Sequence, residues 1–190
     1  MNPTPNTSHD YRRASEEKTI EIHDFLSTNG ILELDLSAPD FKAEYLEDGK
    51  EVSVSMEDLA MEATHPLTHR VTIKAVTKHR DLQLNFIVLN LLIKTKPPRC
   101  VTVGEMLTGV HKWMRSPAEH LQLSDNEDEQ VIVAYRERCT RALTECRQTL
   151  EECRRNIDYF GGEFMFTGFR MDREGVFYLL VGPPALARSE

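Results

Sequence analysis

Apolar residues recur at two different periods along this chain, and the change of period predicts both strands and helices. The segment RVTIKAV places Val71, Ile73 and Ala75 on one side of an extended chain, and LQLNFIVLNLLI begins with the same alternation. A period of two residues is typical of half-buried strands. The polar turn TKHRD separates the two segments. We therefore predict a hairpin, which the prolines of KTKPPRC end.

A second hairpin is predicted near the end of the chain. The segments EFMFTGFR and GVFYLLVG flank the turn residues Asp172-Arg173-Glu174-Gly175, and such polar, glycine-containing turns join antiparallel strands. A further short strand is expected at ILELDL, after Asn29-Gly30. We expect segments 82–93 and 164–181 to provide the central strands of one sheet.

Capping signals predict where the helices begin. Thr102 and Glu105 have the spacing of a capping box, and Ser124 with Glu127 repeats it at the start of the longest helical pattern, which continues to about Asn156. In a capping box the hydroxyl accepts a hydrogen bond from a helix amide while the carboxylate accepts one from the capping residue. The sequence therefore predicts one medium and one long helix, after a short helix in SMEDLAMEATHP.

The medium helix is predicted to have a single apolar face. His111 lies away from that face, so we expect it to be exposed to solvent. The apolar face consists of Met106, Leu107, Val110, Trp113 and Met114.

These elements together predict an α+β fold, in which an antiparallel sheet from two hairpins packs against the medium and the long helix in a single domain. Residues 1–18 are polar and proline-containing, so we expect a disordered tail. The domain is expected at 19–184, followed by a C-terminal tail at 185–190. The first tail contains RRAS, which fits phosphorylation of Ser15 by a kinase that prefers basic substrates, although a chance match of four residues is the alternative.

Charge and hydropathy narrow the classes of function. The net charge is -8 and the pI is about 5.4, which argues against general nucleic-acid binding, because such binding depends on neutralising phosphates. The sequence has no apolar run typical of a signal peptide or a membrane-spanning helix, so we expect no membrane insertion. The cytoplasm or the nucleus is the expected location, where the four cysteines would be reduced.

Three of the cysteines raise the sharpest chemical question in the sequence. Cys139, Cys146 and Cys153 recur at intervals of seven residues, and on a helix seven residues advance about 10.5 Å. This separation is too long for a disulfide or one shared metal ion. The same spacing fits one buried helical stripe, and free cysteine behaves as a small apolar side chain. We therefore predict that all three are buried thiols rather than a reactive site.

The remaining candidate chemistry is weak. His65 and His69 flank a proline, which disturbs the helical spacing that a two-histidine metal site needs. The sequence contains no G-x-S-x-G motif, no phosphate-binding glycine loop and no dinucleotide fingerprint. We therefore predict no catalytic residue, no bound cofactor and no metal site.

Several segments, taken in order, resemble a known family. They are IHDFL, ILELDLS, MEATHPLTHRVTI, CVTVGEMLTGVHKWM and IDYFGGEFMFTGFR, and the resemblance extends from about residue 20 to 182. The family is fungal, abundant in mushroom-forming species, and known only as a domain of unknown function. Its pattern often has an aromatic residue before the aspartate of ILELDL, where this chain has Leu34. The resemblance implies an intracellular α+β domain and implies no activity.

These observations favour a non-enzymatic protein-interaction or scaffold domain that acts inside the cell with another protein as its partner. The alternative is a small-molecule-binding protein or an enzyme whose site is assembled from distant residues. A third hypothesis is a homodimer formed through the exposed half of the long helix.

Overall fold

The computed structural model describes residues 20–28, 32–76, 88–118, 125–146 and 154–183. The sequence predictions that concern Ser15, the turn 77–81, Ser124 and Cys153 lie outside the described residues. The strands are β1 (Glu21–Ile22), β2 (Leu32–Leu34), β3 (Ala43–Glu47), β4 (Lys50–Ser53), β5 (Thr64–His65), β6 (Arg70–Val76), β7 (Val88–Lys94), β8 (Met165–Met171) and β9 (Phe177–Gly182). The α-helices are α1 (Met56–Leu59), α2 (Val103–Met114) and α3 (Asp125–Cys146), and 3-10 helices cover Asp24–Leu26 and Asn156–Phe160. The chain has an α+β fold.

The largest sheet contains both predicted hairpins, but they meet in a way the sequence did not indicate. Its strand order is β7-β6-β9-β8, and β6 runs parallel to β9 with Ile73 beside Phe177. The expectation of a wholly antiparallel sheet is therefore wrong. The expected central position is also wrong for β7 and β8, which lie at the two edges of this sheet. Strands β6 and β9 form the centre, because each pairs on both sides.

A second sheet, of order β2-β3-β4, was not predicted. Its β3–β4 hairpin turns at Asp48 and Gly49, which both have positive φ, as such tight turns require. This sheet meets the edge of β8, where Asp35 bridges to Met165 and the Leu36 N–H donates to the Phe164 carbonyl at 2.9 Å. The start of the outer edge of β8 is therefore paired, and the Ser27 backbone lies against Gly168 further along the strand. The short strands β1 and β5 pair separately.

Helix α2 begins at the predicted capping box. The Thr102 hydroxyl accepts from the Glu105 N–H at 3.2 Å, and the Glu105 carboxylate accepts from the Thr102 N–H at 3.0 Å. The long helix is described to Cys146, and Arg155 has an extended backbone before the 3-10 helix. The expectation of a helix continuing to Asn156 is therefore wrong.

The core lies between helix α2 and the face of the large sheet that contains β6 and β9. Strand β2 closes the core on a third side. The phenylalanines of β8 and β9 pack edge to face there, with centroids of Phe166 and Phe169 5.1 Å apart and those of Phe169 and Phe177 6.1 Å apart. Such geometry is favourable for aromatic rings. The largest fully buried side chains are Phe169, Leu26, Leu34, Leu36, Ile73, Met106, Leu107, Met114, Val71, Val101, Val103 and Val110.

Candidate functional site: an open strand edge and its groove

Strand β7 pairs with β6 on one side only among the described residues. The Thr95 N–H donates to the His69 carbonyl at 3.0 Å, and this bonded pair continues the register in which Arg70 faces Lys94. Bonded and non-bonded pairs alternate in an antiparallel ladder. The backbone groups of Asn90, Leu92 and Lys94 therefore point away from β6, towards the open side.

This open edge differs from ordinary protected edges. Natural sheets shield their outer strands with prolines, bulges, inward charges or a covering segment. Strand β7 has seven residues in unbroken register with β6 and contains no proline, and Lys94 is its single charged residue. Because the outer edge of β8 lies against the chain that follows β2 and against Ser27, β7 is the more open edge of the large sheet within the described part of the chain.

A groove runs beside this edge, between β7 and the first two helices. Leu59, Leu91 and Ile93 give it an apolar floor, and Met56 extends that surface outwards, while the Leu92 side chain lies on the opposite face of β7 because successive side chains alternate along a strand. Met56 is 81% exposed and Leu92 is 42% exposed. Apolar side chains with this exposure, contiguous with unpaired backbone groups, are typical of a surface that binds another polypeptide. We name this surface, together with the open edge, the β7 groove.

Two glycines allow α2 to form one wall of the groove at short range. A Cβ atom at Gly104 would lie 2.9 Å from the Leu59 carbonyl oxygen, and one at Gly109 would lie 2.9 Å from the Ile93 Cδ1 atom. Real Cβ atoms do not approach so closely, so a larger residue at Gly104 would push α2 away from the α1 backbone, whereas one at Gly109 would displace the tip of the Ile93 side chain. Gly104 therefore sets the distance between α2 and α1 along the groove.

Of the charged side chains along the groove, the acidic one has a partner of opposite charge and the two lysines have none among the described residues. Glu105 accepts from the Arg99 guanidinium at 3.0 Å and also caps α2. Lys94 and Lys112 are exposed and form no ion pair with any described residue. The groove therefore presents two free positive charges in a chain whose net charge is -8.

A separate polar cluster surrounds the turn after β2, and it includes His111. The expected exposure of His111 is wrong, because the side chain is only 4% exposed. Its Nε2 atom lies 3.0 Å from the Ala38 carbonyl oxygen, and its ring meets Phe41 edge to face. Burial lowers the pKa of His111, and the charge of Arg115 adds to that effect. The imidazole is therefore neutral near pH 7, and Nε2–H donates to Ala38.

Three arginines and one aspartate continue this cluster towards α3. Arg138 donates to both carboxylate oxygens of Asp158, at 2.7 and 3.0 Å, and the Arg155 N–H donates to the same carboxylate at 2.8 Å. Burial, with the nearby charges of Arg138 and Arg115, lowers the pKa of Arg155 to about 10. These bonds fasten the 3-10 helix Asn156–Phe160 to α3. Their geometry is that of a structural network, since the carboxylate is already fully engaged by the protein.

The cysteines occupy different positions relative to the described residues. Cys139 is 7% exposed and free. Cys146 is the last residue of α3, and its side chain is not among the described ones. Cys153 lies outside the described residues. The buried stripe of three thiols therefore stays a prediction. Cys100 is free and half-buried.

Two further properties concern the described residues only. Among them, no three His, Cys, Asp or Glu side chains group closely enough to hold a metal ion. No helix in this part of the chain combines the length and the apolar character needed to cross a membrane.

The β7 groove was not identified from the sequence. The run VLNLLIK indicates a buried strand, and nothing in it shows that its outer side is left unpaired. Two features of the sequence could have indicated the groove: the run contains no proline, and glycines occupy positions 104 and 109. Its meaning depends on the strand order and on the packing of α2.

Comparison with known proteins gives one positive result. No curated protein and no solved structure matches this chain. A family model described as a family of unknown function (DUF6699) matches residues 32–175. This match covers β2 to the turn before β9, and therefore includes the β7 groove and the polar cluster. The chain belongs to this family of unknown function, DUF6699.

Proposed function

We propose that this chain is a non-enzymatic protein-interaction domain, and that the β7 groove is its binding face. The observation that carries the proposal is the open edge of β7, where the backbone groups of Asn90, Leu92 and Lys94 lie beside an apolar groove. An added strand satisfies such groups with main-chain hydrogen bonds, while pockets beside the edge select alternate side chains.

The chemistry of the groove supports a polypeptide as the occupant. The outward backbone groups offer a repeating series of donors and acceptors, which an extended chain can match over its whole length. The floor formed by Leu59, Leu91 and Ile93 suits apolar side chains at alternate positions of that chain. Lys94 and Lys112 suit a carboxylate on the incoming segment.

We also propose that the chain acts in the cytoplasm or the nucleus. Cys100 and Cys139, the two cysteines with described side chains, are both free. Free thiols are the usual state in a reducing compartment, which supports this location.

Site-specific photo-crosslinking tests the proposed function. A photoreactive amino acid replaces Leu92 in one version of the full chain, and Leu46 in a matched control. Leu46 is 55% exposed but lies in β3, away from the groove. In cells that express the chain, we expect a discrete protein adduct from position 92 and none of the same mass from position 46. If position 92 gives no protein adduct, or gives the same adducts as position 46, the proposed function is wrong.

A further inference from the structure

We propose that the occupant of the β7 groove is a second copy of this chain, which pairs β7 with β7 in antiparallel orientation about a two-fold axis. This inference rests on the proposed function and names its partner. Closed two-fold dimers are the commonest assemblies of identical chains, and they require a surface that is complementary to itself. The β7 groove meets this requirement in its hydrogen bonds, its charges and its helix.

The hydrogen-bonding pattern of β7 matches its own copy. When the axis passes through Leu91, Asn90 of one copy faces Leu92 of the second copy, and Lys94 faces position 88. The backbone N–H and C=O groups of positions 88, 90, 92 and 94 all point away from β6. Each opposed pair can therefore exchange both N–H···O bonds, and Leu91 faces Leu91 at the non-bonded position between them.

The same register avoids a clash of charges. Lys94 is the single charged residue of β7, and in this register it faces a valine of the second copy instead of Lys94. Like charges directly opposite one another would destabilise the pair. The two four-stranded sheets would thus join into one continuous sheet with no repulsive cross-strand pair at the junction.

Helix α2 is self-complementary about the same axis. Gly109 packs on Ile93 and Leu91, so the middle of α2 lies beside the middle of β7. The groove-facing residues of α2 include Glu105, Thr108 and Lys112. A two-fold axis near Thr108 and Gly109 brings Glu105 of one copy towards Lys112 of the other. Thr108 lies at the centre of this groove-facing side of α2, and the charges at its two ends are opposite.

The long helix offers a poorer surface for self-association. Val133 is an exposed apolar residue of α3, but Glu129, Arg136, Glu137 and Thr140 are exposed on the same helix. Interfaces between identical chains are apolar at their centre. The sequence hypothesis of a homodimer through the long helix is therefore less well supported than pairing through β7.

Sedimentation equilibrium of the purified full chain tests this proposal. We expect the wild-type chain to sediment at twice its 21.8 kDa mass in the micromolar range. Leu92→Pro removes an N–H that points away from β6, so the β6–β7 ladder is kept while edge pairing is blocked. We expect this variant to be monomeric and folded by circular dichroism. The matched control Leu67→Lys changes an exposed leucine outside the strands and should remain dimeric.

Charge reversal gives a second, independent readout. Lys112→Glu should raise the dimer dissociation constant at least tenfold, by repelling Glu105 of the second copy, while Lys50→Glu on β4 should leave the constant unchanged. If Leu92→Pro fails to fold, Leu92→Lys takes its place, since a lysine there keeps the backbone but puts two like charges at diagonal positions across the two-fold axis. A monomeric wild-type chain, or a dimer unaffected by both the position-92 variant and Lys112→Glu, overturns the proposal.

The outcomes for the two proposals are distinguishable. A wild-type monomer whose position-92 crosslinks lead to a different protein overturns self-pairing and leaves the proposed function intact. The absence of any specific protein adduct at position 92 overturns the proposed function itself. A self-adduct at position 92, with the mass of two chains, supports both.

Discussion

Replacing Asp158 by alanine should be among the most damaging single changes to this domain. The Asp158 side chain is 1% exposed and accepts from the Arg138 side chain at 2.7 and 3.0 Å and from the Arg155 N–H at 2.8 Å. Removing the carboxylate leaves the Arg138 guanidinium buried without its counter-charge. Breaking one side of a buried ion pair costs about 3–5 kcal/mol. We therefore expect Asp158→Ala to lower the free energy of unfolding by about that amount.

Urea unfolding followed by circular dichroism measures the loss. The matched control is Glu44→Ala, which removes the carboxylate of the ion pair between Glu44 and the exposed Lys42. It should cost far less, because solvent replaces the lost contact. The double variant Arg138→Met/Asp158→Leu should be more stable than the sum of its single changes predicts, because neither partner of the Arg138–Asp158 ion pair is left buried without the other. A loss below about 1 kcal/mol for Asp158→Ala, or one equal to that of Glu44→Ala, would refute the reasoning.

The other predictions concern packing, pH and the cysteines. In thermal unfolding, Gly168→Ala should destabilise the domain by about 2–5 kcal/mol, because φ is +121° at this position and the new Cβ would lie 2.5 Å from a backbone oxygen. The control Gly49→Ala has open space around the new Cβ and should cost about 1 kcal/mol. The pKa of His111 is lowered in the folded state, so its contribution to stability is present above about pH 6.5 and is lost as the pH falls further; His111→Gln should flatten that part of the stability profile. Cys139 should resist alkylation in the native protein and react after denaturation; rapid native labelling would remove it from the core. Deleting residues 1–17 should leave the melting temperature nearly unchanged, and a large drop would show that the tail docks on the domain.

The features that could be predicted from the sequence are those set by nearby residues. The capping box of Thr102 and Glu105 places both partners within three positions, so the start of α2 was predicted and is confirmed. The two hairpins were likewise visible in local alternation and turn residues. Each of these features depends on contacts that the chain makes with its immediate neighbours.

The features that were missed depend on contacts between distant parts of the chain. His111 looks exposed when α2 is considered alone, and it is buried because Ala38, 73 positions earlier, covers it. The parallel pairing of β6 with β9 has no local signal, because each strand alternates in the same way whichever neighbour it has. The β7 groove was missed for the same reason, because the strand order of the whole sheet decides whether β7 has a neighbour on its outer side.

The parallel pair at the centre of the large sheet also has a consequence for synthesis of the chain. Strand β6 emerges from the ribosome early, but its neighbour β9 follows only after residues 77–176 have been made. Pairing over such a long separation is slow and leaves apolar surface exposed in the meantime. The outer edge of β6 in the nascent β6–β7 hairpin therefore stays unpaired until Phe177–Gly182 emerges. Translation that stops before Phe177 would yield a polypeptide that lacks one of the two central strands of its sheet, and quality-control proteases should remove it quickly.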